Sequence, residues 1–289
     1  MIKTSVIGLG AMGAGMAGNL HRAGLLAGAW NRTPARGQAA ADLHGFALAA
    51  DLADAVRDAQ LVITSVSADS DLLEMAEKLI PLLQAGCVVL DTSTVSSASA
   101  QQVGQLFEDA GMHFVDGPVS GGKEGAEKAT MVMMAGGDAS VLEKIMPALE
   151  VITAKVVHMG AIGSGQATKA VNQIMAAGIN QAVSEALAFG QASGLEMDKV
   201  IDVVSGGAAG NWFLSHRGRN MCNDIFEPGF RLALHRKDLK IGQAMAAEKG
   251  VQLPVVEMTL VHYDRLIEQG HGDEDISALF RLKRELFKP

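Results

Sequence analysis

A glycine-rich turn near the start of the chain constrains the fold more than any other feature. It reads Gly8-Leu9-Gly10-Ala11-Met12-Gly13, follows the β-rich run Thr4–Ile7 and precedes a stretch of small residues that suits a helix. The first glycine permits a tight turn, the second lets the backbone approach a pyrophosphate, and the third allows close helix packing. The alternative is a glycine-rich packing turn. Its place between a strand and a helix favours a Rossmann-type, doubly wound α/β domain that binds a dinucleotide at the helix N-terminus.

The rest of the first half continues the alternation of strand and helix. Short β-rich runs, several of which end in Gly, Asn, Asp or Ser, indicate a parallel sheet with crossover helices. The predicted strands are 4–7, 27–30, 61–65, 88–91, 113–115, 131–135 and 155–158.

The character of the sequence changes near residue 162. Residues 166–193 lack proline and are rich in alanine, which predicts one long helix, and helical periods continue beyond it. At 289 residues the chain suits two domains. We therefore expect a Rossmann-type dinucleotide-binding domain at 1–162, followed by an all-helical substrate and oligomerisation domain at 163–289.

Charge and composition exclude several classes of function. The formal net charge is -8 and the basic residues form no long run, which argues against nucleic acid as a partner. No apolar run is long enough to span a bilayer. The two cysteines, Cys87 and Cys222, lie far apart, and the histidines lack ligand-like spacing, so we expect neither a disulfide framework nor a metal site. A cytoplasmic enzyme is the expectation.

The end of the second predicted strand bears on the choice of cofactor. An NAD-preferring site usually has an acid there, but this chain reads Trp30-Asn31-Arg32-Thr33-Pro34. Arg32, with the side chains of Asn31 and Thr33, would instead meet a 2′-phosphate. We therefore expect NADP(H) as the preferred cofactor. NAD(H) remains possible, with Arg32 at the start of a solvated helix.

A second small-residue motif, Asp116-Gly117-Pro118-Val119-Ser120-Gly121-Gly122, follows another predicted strand. Its exposed backbone N–H groups and the Ser120 hydroxyl can hold a carboxylate without a formal cation. The alternative is a tight turn that needs glycine for its dihedral angles.

A third motif runs from Gly163 to Gln173 at the start of the long helix. Lys169, Asn172 and Gln173 share one helix face because they stand at positions i, i+3 and i+4. A lysine ammonium among apolar neighbours is partly desolvated, gives up its proton more readily and suits acid–base catalysis. The alternative is a lysine that extends to solvent from a helix end.

These motifs together resemble the β-hydroxyacid dehydrogenase family, which includes 3-hydroxyisobutyrate dehydrogenases, tartronate semialdehyde reductases and glyoxylate/succinic semialdehyde reductases. The resemblance runs almost end to end. It continues in Met16-Ala17-Gly18-Asn19-Leu20, Pro228-Gly229-Phe230-Arg231, Leu234-His235-Arg236-Lys237-Asp238-Leu239 and Asp275-Ile276-Ser277-Ala278-Leu279.

The resemblance implies a role for each matching residue. Lys169 is the catalytic acid and base, while Asn172 positions the substrate. Lys237 reaches the cofactor and the active site from the second domain. The substrate is held by Ser120, Gly121 and Gly122, with Gln173 and Phe230 as further pocket residues. The cofactor is bound by the Gly8–Gly13 turn and contacted near its nicotinamide by Val66, Ser67 and Thr94.

Two departures from the family pattern stand out. Many relatives have asparagine four residues after the lysine, where this chain has Gln173, while Asn172 matches the tartronate-type pattern. Which of the two amides works on the substrate stays open. Where relatives commonly read Gly-Thr-Leu after the second motif, this chain reads Ala129-Thr130-Met131, which predicts an altered turn.

The function implied by the resemblance is hydride transfer between NADP(H) and a small β-hydroxy acid or aldehydo acid, closest to tartronate semialdehyde or glyoxylate/succinic semialdehyde reductases. The alternatives are an NAD-dependent 3-hydroxyisobutyrate or serine dehydrogenase and an imine reductase, although imine reductases usually lack the lysine matched by Lys169. From another class, the chain could be a catalytically silent dinucleotide sensor. Small residues along the long helix and the habit of the family predict a homodimer or homotetramer.

Overall fold

The computed structural model describes residues 2–287. The chain divides into two compact units, Met1–Lys169 and Ala170–Pro289. Helix α8 (Ser164–Ala192) starts in the first unit and continues into the second. The second unit begins slightly after the change in sequence character near residue 162. The reason is that the first turn of α8 packs with the sheet and so belongs to the first unit. Within the described residues, no helix combines the length and apolar character needed to cross a membrane.

An eight-stranded sheet forms the centre of the first unit. Its strands are β1 (Thr4–Ile7), β2 (Leu26–Trp30), β3 (Leu61–Thr64), β4 (Val88–Asp91), β5 (His113–Asp116), β6 (Val119–Ser120), β7 (Met131–Gly136) and β8 (Thr153–Gly160). Their order is β2-β1-β3-β4-β5-β7-β6, and β8 also pairs with β7. The parallel strands β1 to β5 place their carboxyl ends at one edge, which is the ligand-binding edge of open α/β sheets.

The last strands depart from the all-parallel expectation. Both β5 and β6 pair antiparallel with β7, while β7 and β8 are parallel to each other. The chain leaves β6 through the short helix α6 (Gly122–Lys128) and returns along β7. It therefore reverses direction where a crossover helix would have kept it parallel.

Helices cover both faces of the sheet. They are α1 (Gly13–Arg22), α2 (Pro34–His44), α3 (Leu52–Val56), α4 (Asp69–Leu79), α5 (Ser97–Asp109), α6 and α7 (Ala139–Ile152), with a 3₁₀ turn at Ile80–Leu82. Neighbouring strand residues enter different cores: Val6 belongs to the core that contains Met16 of α1, and Ile7 to the core that contains Leu72 of α4. This alternation produces the doubly wound Rossmann-type arrangement.

In its described residues, up to 287, the second unit contains helices and turns but no strand, apart from one isolated bridge between Arg231 and Asp275. It contains most of α8 together with α9 (Met197–Ser205), α10 (Trp212–Cys222), α11 (Leu232–Ala247), α12 (Pro254–Glu268), a 3₁₀ turn at Ile276–Ala278 and α13 (Leu279–Glu285). Its apolar core encloses a polar centre. Asn180 donates hydrogen bonds to the Tyr263 hydroxyl at 3.0 Å and to the Ile276 carbonyl at 2.8 Å.

Candidate active site

The glycine-rich turn between β1 and α1 shows a distinct requirement at each glycine. Gly8 has a positive φ of 95°, and a Cβ there would lie 2.1 Å from the Ser65 carbonyl oxygen. A Cβ on Gly13 would lie 1.9 Å from the Gly8 carbonyl oxygen, whereas a Cβ on Gly10 would meet nothing within 4 Å. Gly8 and Gly13 are therefore needed for the fold. Gly10 faces open space, where a side chain would obstruct a ligand and not the protein.

The N-terminus of α1 is prepared for an anion. Its N-cap residue, Met12, makes no side-chain cap hydrogen bond, and no acid stands in the first turn. A helix start of this kind carries N–H donors and a positive dipole end. Asn31, at the end of β2, accepts a hydrogen bond from the Leu9 N–H at 2.9 Å and donates to the Thr33 carbonyl at 2.8 Å. The Asn31 amide thus joins the glycine turn to the end of β2.

Arg32 is exposed and engaged in ion pairs across the sheet edge. Its Nη1 lies 2.7 Å from Oδ1 of Asp71 and 3.8 Å from Oε2 of Glu74, both on α4. The hydrogen bond and charge of Asp71 raise the pKa of the Arg32 guanidinium above its ordinary value. Thr33 is exposed at the N-cap of α2 and makes no side-chain cap hydrogen bond.

The loops after β3 and β4 are tied together beside this turn. The Val66 N–H donates to the Ser93 hydroxyl at 2.8 Å, and that hydroxyl donates to Oδ1 of Asp91 at 2.7 Å. Thr94 is half-buried next to Ser93, and Ser67 is exposed. The structure therefore brings Val66 and the segment of Thr94 to the same carboxyl edge as the glycine turn.

The Ser120 turn is shaped by two consecutive glycines. Gly121 and Gly122 have φ values of 141° and 64°, a region that side chains rarely adopt. A Cβ on Gly121 would approach Met131 Cα to 3.2 Å, so this turn also lies close to the start of β7. Ser120 ends β6 and is half-buried. Consecutive small residues of this kind leave backbone N–H groups accessible, as in known anion-binding turns.

Lys169 lies beside this turn. Only 7% of the residue is exposed, and its Nζ donates a hydrogen bond to the Val119 carbonyl oxygen at 2.8 Å. That carbonyl belongs to the peptide group leading into Ser120. The lysine is therefore not a solvent-directed side chain, because its ammonium is held next to the Ser120 turn.

Two residues without an individual role in the sequence analysis fix the start of α8. Asp116 accepts hydrogen bonds from the Gly163 N–H at 2.7 Å and from the Gln166 N–H at 2.9 Å. The Gln166 side chain donates to the Ser93 carbonyl at 2.8 Å and accepts from the Val95 N–H at 3.2 Å. The sequence offered one signal for each of these residues. Asp116 is an acid that directly ends a strand, and Gln166 is a glutamine in the first turn of a helix.

The second unit has its own group of predicted site residues. Asn172 donates to Oε1 of Gln173 at 2.9 Å, and the buried Gln173 donates to Oδ2 of Asp238 at 2.6 Å. Lys237 Nζ lies 3.1 Å from Oδ1 of the same carboxylate. Phe230 packs against the helical core, with its ring 5.3 Å from that of His235. Asp238, which joins Gln173 to Lys237, is a further residue that the sequence analysis did not single out.

Metal ligands are not gathered in the described part of the chain. Across residues 2–287, no group of three or more His, Cys, Asp or Glu side chains is arranged to hold an ion. The buried carboxylates Asp91 and Asp116 interact instead with hydroxyl or backbone N–H donors.

Comparison with known proteins identifies the family. The NAD-binding domain model of 6-phosphogluconate dehydrogenase matches residues 3–160, and the NAD-binding model of NADP-dependent 3-hydroxyisobutyrate dehydrogenase matches residues 163–283. The chain belongs to the β-hydroxyacid dehydrogenase family. It is accordingly a nicotinamide-dinucleotide-dependent oxidoreductase, and the resemblance deduced from the motifs is confirmed.

Individual members of the family match along their whole length. A Mycobacterium tuberculosis 3-hydroxyisobutyrate dehydrogenase, solved with L-serine, has a TM-score of 0.89 and 32% identity, with 98% of this chain and 100% of that chain covered. An NAD-dependent L-serine dehydrogenase of Pseudomonas aeruginosa is 31% identical, with 98% of both covered. Glyoxylate/succinic semialdehyde reductase 1 of Arabidopsis thaliana is 29% identical, covering 96% of this chain and 97% of the relative.

The residues of the first unit fit a dinucleotide. The open position at Gly10 and the uncapped start of α1 suit a pyrophosphate, and the tied loops after β3 and β4 border the same edge. The family assignment and the local geometry therefore agree on the class of cofactor.

Proposed function

We propose that the chain is an NADP(H)-linked reductase of small aldehydo acids, of the tartronate semialdehyde or glyoxylate/succinic semialdehyde type. The observation that carries the proposal is the placement of Lys169, whose buried Nζ lies 2.8 Å from the Val119 carbonyl, next to Ser120. A proton donor beside a site for a carboxylate is what the reduction of an aldehydo acid requires.

Each residue of the site has a task in this reaction. Held at the Gly8–Gly13 turn, NADPH would supply the hydride for the substrate carbonyl carbon, and NADP⁺ would accept it in the reverse direction. In reduction, the Lys169 ammonium gives a proton to the carbonyl oxygen, and in oxidation neutral Lys169 takes that proton back. The Ser120 hydroxyl and the N–H groups of Gly121 and Gly122 hold the substrate carboxylate.

We assign Asn172 as the amide that positions the substrate. Gln173 is buried, and both polar ends of its side chain are engaged, one with Asn172 and the other with Asp238. Gln173 therefore supports its neighbour, and Asp238 in turn holds the ammonium of Lys237, which we assign to the cofactor. Phe230 contributes an apolar border to the substrate pocket.

The cofactor assignment rests on the residues of the first unit. We assign the pyrophosphate to the Gly8–Gly13 turn, and the nicotinamide side to Val66, Ser67 and Thr94. No acid ends β2, and Arg32 stands where a 2′-phosphate would be met, with Asn31 and Thr33 beside it. A guanidinium at this position favours NADP(H) over NAD(H).

An NAD-dependent 3-hydroxyisobutyrate or serine dehydrogenase is the second candidate. It is favoured by the full-length similarity to proteins named for those substrates. Rates with tartronate semialdehyde, glyoxylate, succinic semialdehyde, L-serine and 3-hydroxyisobutyrate, each measured with both cofactors, separate the candidates. A higher kcat/KM for serine with NAD than for any semialdehyde with NADPH would contradict the primary proposal.

Replacement of Lys169 tests the mechanism. Lys169→Ala should lower kcat by about two to four powers of ten, the usual contribution of an acid–base group, while dinucleotide binding persists. Lys169→Arg should restore little, because a guanidinium keeps its proton and cannot act as the base. Lys199→Ala is the matched control, since Lys199 is exposed and pairs with Glu196 at the start of its own helix.

The control should retain full activity. Near-normal turnover by folded Lys169→Ala enzyme would refute the role of this lysine. Circular dichroism and dinucleotide titration establish that the variant is folded before its rate is compared.

We also infer that the protein is a homodimer or homotetramer. Helices α8 and α12 carry large exposed apolar side chains, among them Met175 and Val261, which a subunit contact would cover. Light scattering after size-exclusion chromatography measures the mass directly. A monomer at micromolar concentration would contradict the inference.

A further inference from the structure

The ion pair of Arg32 crosses the edge of the sheet at the start of the dinucleotide site. Arg32 follows β2, Asp71 belongs to the helix that follows β3, and β1 lies between these two strands. The link from Arg32 Nη1 to Asp71 Oδ1, 2.7 Å long, therefore passes over the carboxyl end of β1, where the glycine-rich turn begins. The charge that is to meet a 2′-phosphate is already engaged by an acid of the same chain.

The two partners differ in how firmly they are placed. The Asp71 side chain is 19% exposed and stands in the first turn of α4, where a helix dipole favours an acid. The Arg32 side chain is 62% exposed. Glu74 lies farther from Nη1, at 3.8 Å, and also pairs with Lys78. Asp71 is thus the fixed member, and Arg32 the member that can move toward a ligand.

The geometry leaves one edge of the guanidinium for a phosphate. The shortest contact to each of the two carboxylates is made by Nη1, and among residues 2–287 the Nε and Nη2 edge of Arg32 makes no hydrogen bond. A phosphate oxygen bound there would lie at most about 8 Å from the Asp71 carboxylate oxygen, which is two hydrogen bonds plus the width of the guanidinium. At that distance the two anions repel each other.

We propose that Asp71 is a specificity-determining residue that opposes the 2′-phosphate, with Glu74 as a weaker second. This proposal rests on the assignment of Arg32 to that phosphate under the proposed function. Arg32 attracts the 2′-phosphate, while the acids on α4 hold Arg32 across the site and repel the same group. The preference for NADP(H) over NAD(H) therefore depends on the charge of Arg32 and on the charges of the α4 acids together. It is smaller than the preference that Arg32 alone would give.

The test compares two nucleotide fragments that differ only in the phosphate. The full-length protein is titrated calorimetrically with 2′,5′-ADP and with 5′-AMP, without substrate or turnover. Asp71→Asn should bind 2′,5′-ADP about fivefold more tightly at low salt and 5′-AMP unchanged, since only the former carries the repelled charge. The gain should be smaller for Glu74→Gln, and it should shrink for both variants at about 0.5 M salt.

A matched variant separates this local effect from the change in net charge. Asp58→Asn makes the same replacement, but Asp58 pairs with Lys3 ahead of β1, at the end of that strand away from the glycine turn. It should leave the affinity for both fragments unchanged. Arg32→Gln should abolish the advantage of 2′,5′-ADP over 5′-AMP, whether or not Asp71 is also replaced.

The outcomes distinguish the two ideas. If wild type prefers 2′,5′-ADP but Asp71→Asn binds it equally or more weakly, Asp71 does not oppose the phosphate, and the role of Arg32 stands. If neither wild type nor Arg32→Gln distinguishes the fragments, the assignment of Arg32 is wrong, and the proposal for Asp71 fails with it.

Discussion

Asp116 is a buried carboxylate whose replacement should change how stability depends on pH. It is fully buried at the end of β5 and accepts hydrogen bonds from two backbone N–H groups, those of Gly163 and Gln166. Burial raises the pKa of Asp116 to about 6, even though both hydrogen bonds act in the opposite direction. Asp116 therefore changes its charge within the pH range in which enzymes are normally assayed.

The sign of the effect follows from the direction of that shift. The carboxyl of Asp116 has a pKa of about 6 in the folded chain and an ordinary value of 3.8. Because the folded pKa is the higher one, the contribution of this group to stability is fully present below about pH 4 and is lost as the pH rises through 6. A shift of about two units corresponds to about 3 kcal/mol.

Asp116→Asn is the informative substitution because an amide keeps the shape of the acid and does not ionise. At pH 4 the variant should be less stable than the wild type, because its amide NH2 faces one of the two backbone N–H donors that the carboxyl oxygens accept; this difference is the baseline for the comparison. At pH 7.5 the variant should gain up to about 3 kcal/mol relative to wild type. Urea unfolding at several pH values, followed by circular dichroism, measures the difference.

Asp42→Asn provides the control, because Asp42 is exposed on α2 and should show no comparable trend. A stability difference between Asp116→Asn and wild type that stays constant from pH 4 to 7.5 would refute the reasoning. In that case the group would not titrate near 6, and its burial would have been compensated by its hydrogen bonds.

Four further substitutions test the backbone and the helical core. Gly10→Ala should fold normally and weaken dinucleotide binding. Gly13→Ala should instead lose at least about 2 kcal/mol of stability, because its Cβ would overlap a carbonyl oxygen. Thermal melts and calorimetric titrations measure the two effects, and equal effects of the two variants would contradict this contrast. Ala129→Gly should stabilise the protein by about 1 kcal/mol in urea, because Ala129 has a φ of 55° at the end of α6, and a loss would show that its methyl group is needed. Asn180→Ala should cost about 2–4 kcal/mol by removing the donor to Tyr263, and an unchanged melting temperature would exclude that role.

Local patterns in the sequence were enough to predict most of the fold. The seven predicted strands are present, with ends shifted by a residue or two, because each is a β-rich run bounded by turn residues. The two-residue strand β6 was missed, since so short an element has no period of its own. Within the predicted helical domain, the segment of α10 from Trp212 to Cys222 was not singled out, because it is rich in polar and charged residues.

The candidate site was likewise predictable where its residues belong to local motifs, and not where they depend on contacts between distant parts of the sequence. Motifs located the glycine turn, Ser120 and Lys169, because each occurs within a few residues of a recognisable strand or helix end. The partners of these residues were not predictable. Lys169 meets the Val119 carbonyl across 50 positions of sequence, and Arg32 meets Asp71 across 39. Such pairs depend on strand order, which no local pattern encodes.

The start of α8 shows why a glycine, a glutamine and a buried acid accompany the lysine in this part of the chain. A Cβ on Gly165 would lie 2.3 Å from the Met134 carbonyl oxygen, so only glycine lets the helix approach the sheet this closely. Asp116 and Gln166 then fix the first turn by hydrogen bonds to the loops after β4 and β5. Lys169 follows within one turn, and its Nζ is thereby held at the Ser120 motif. An ionised carboxylate in the core lowers stability at neutral pH, but at this position it also satisfies the backbone donors that begin the helix. The residues around Lys169 therefore give it a position, while the lysine itself supplies the chemistry.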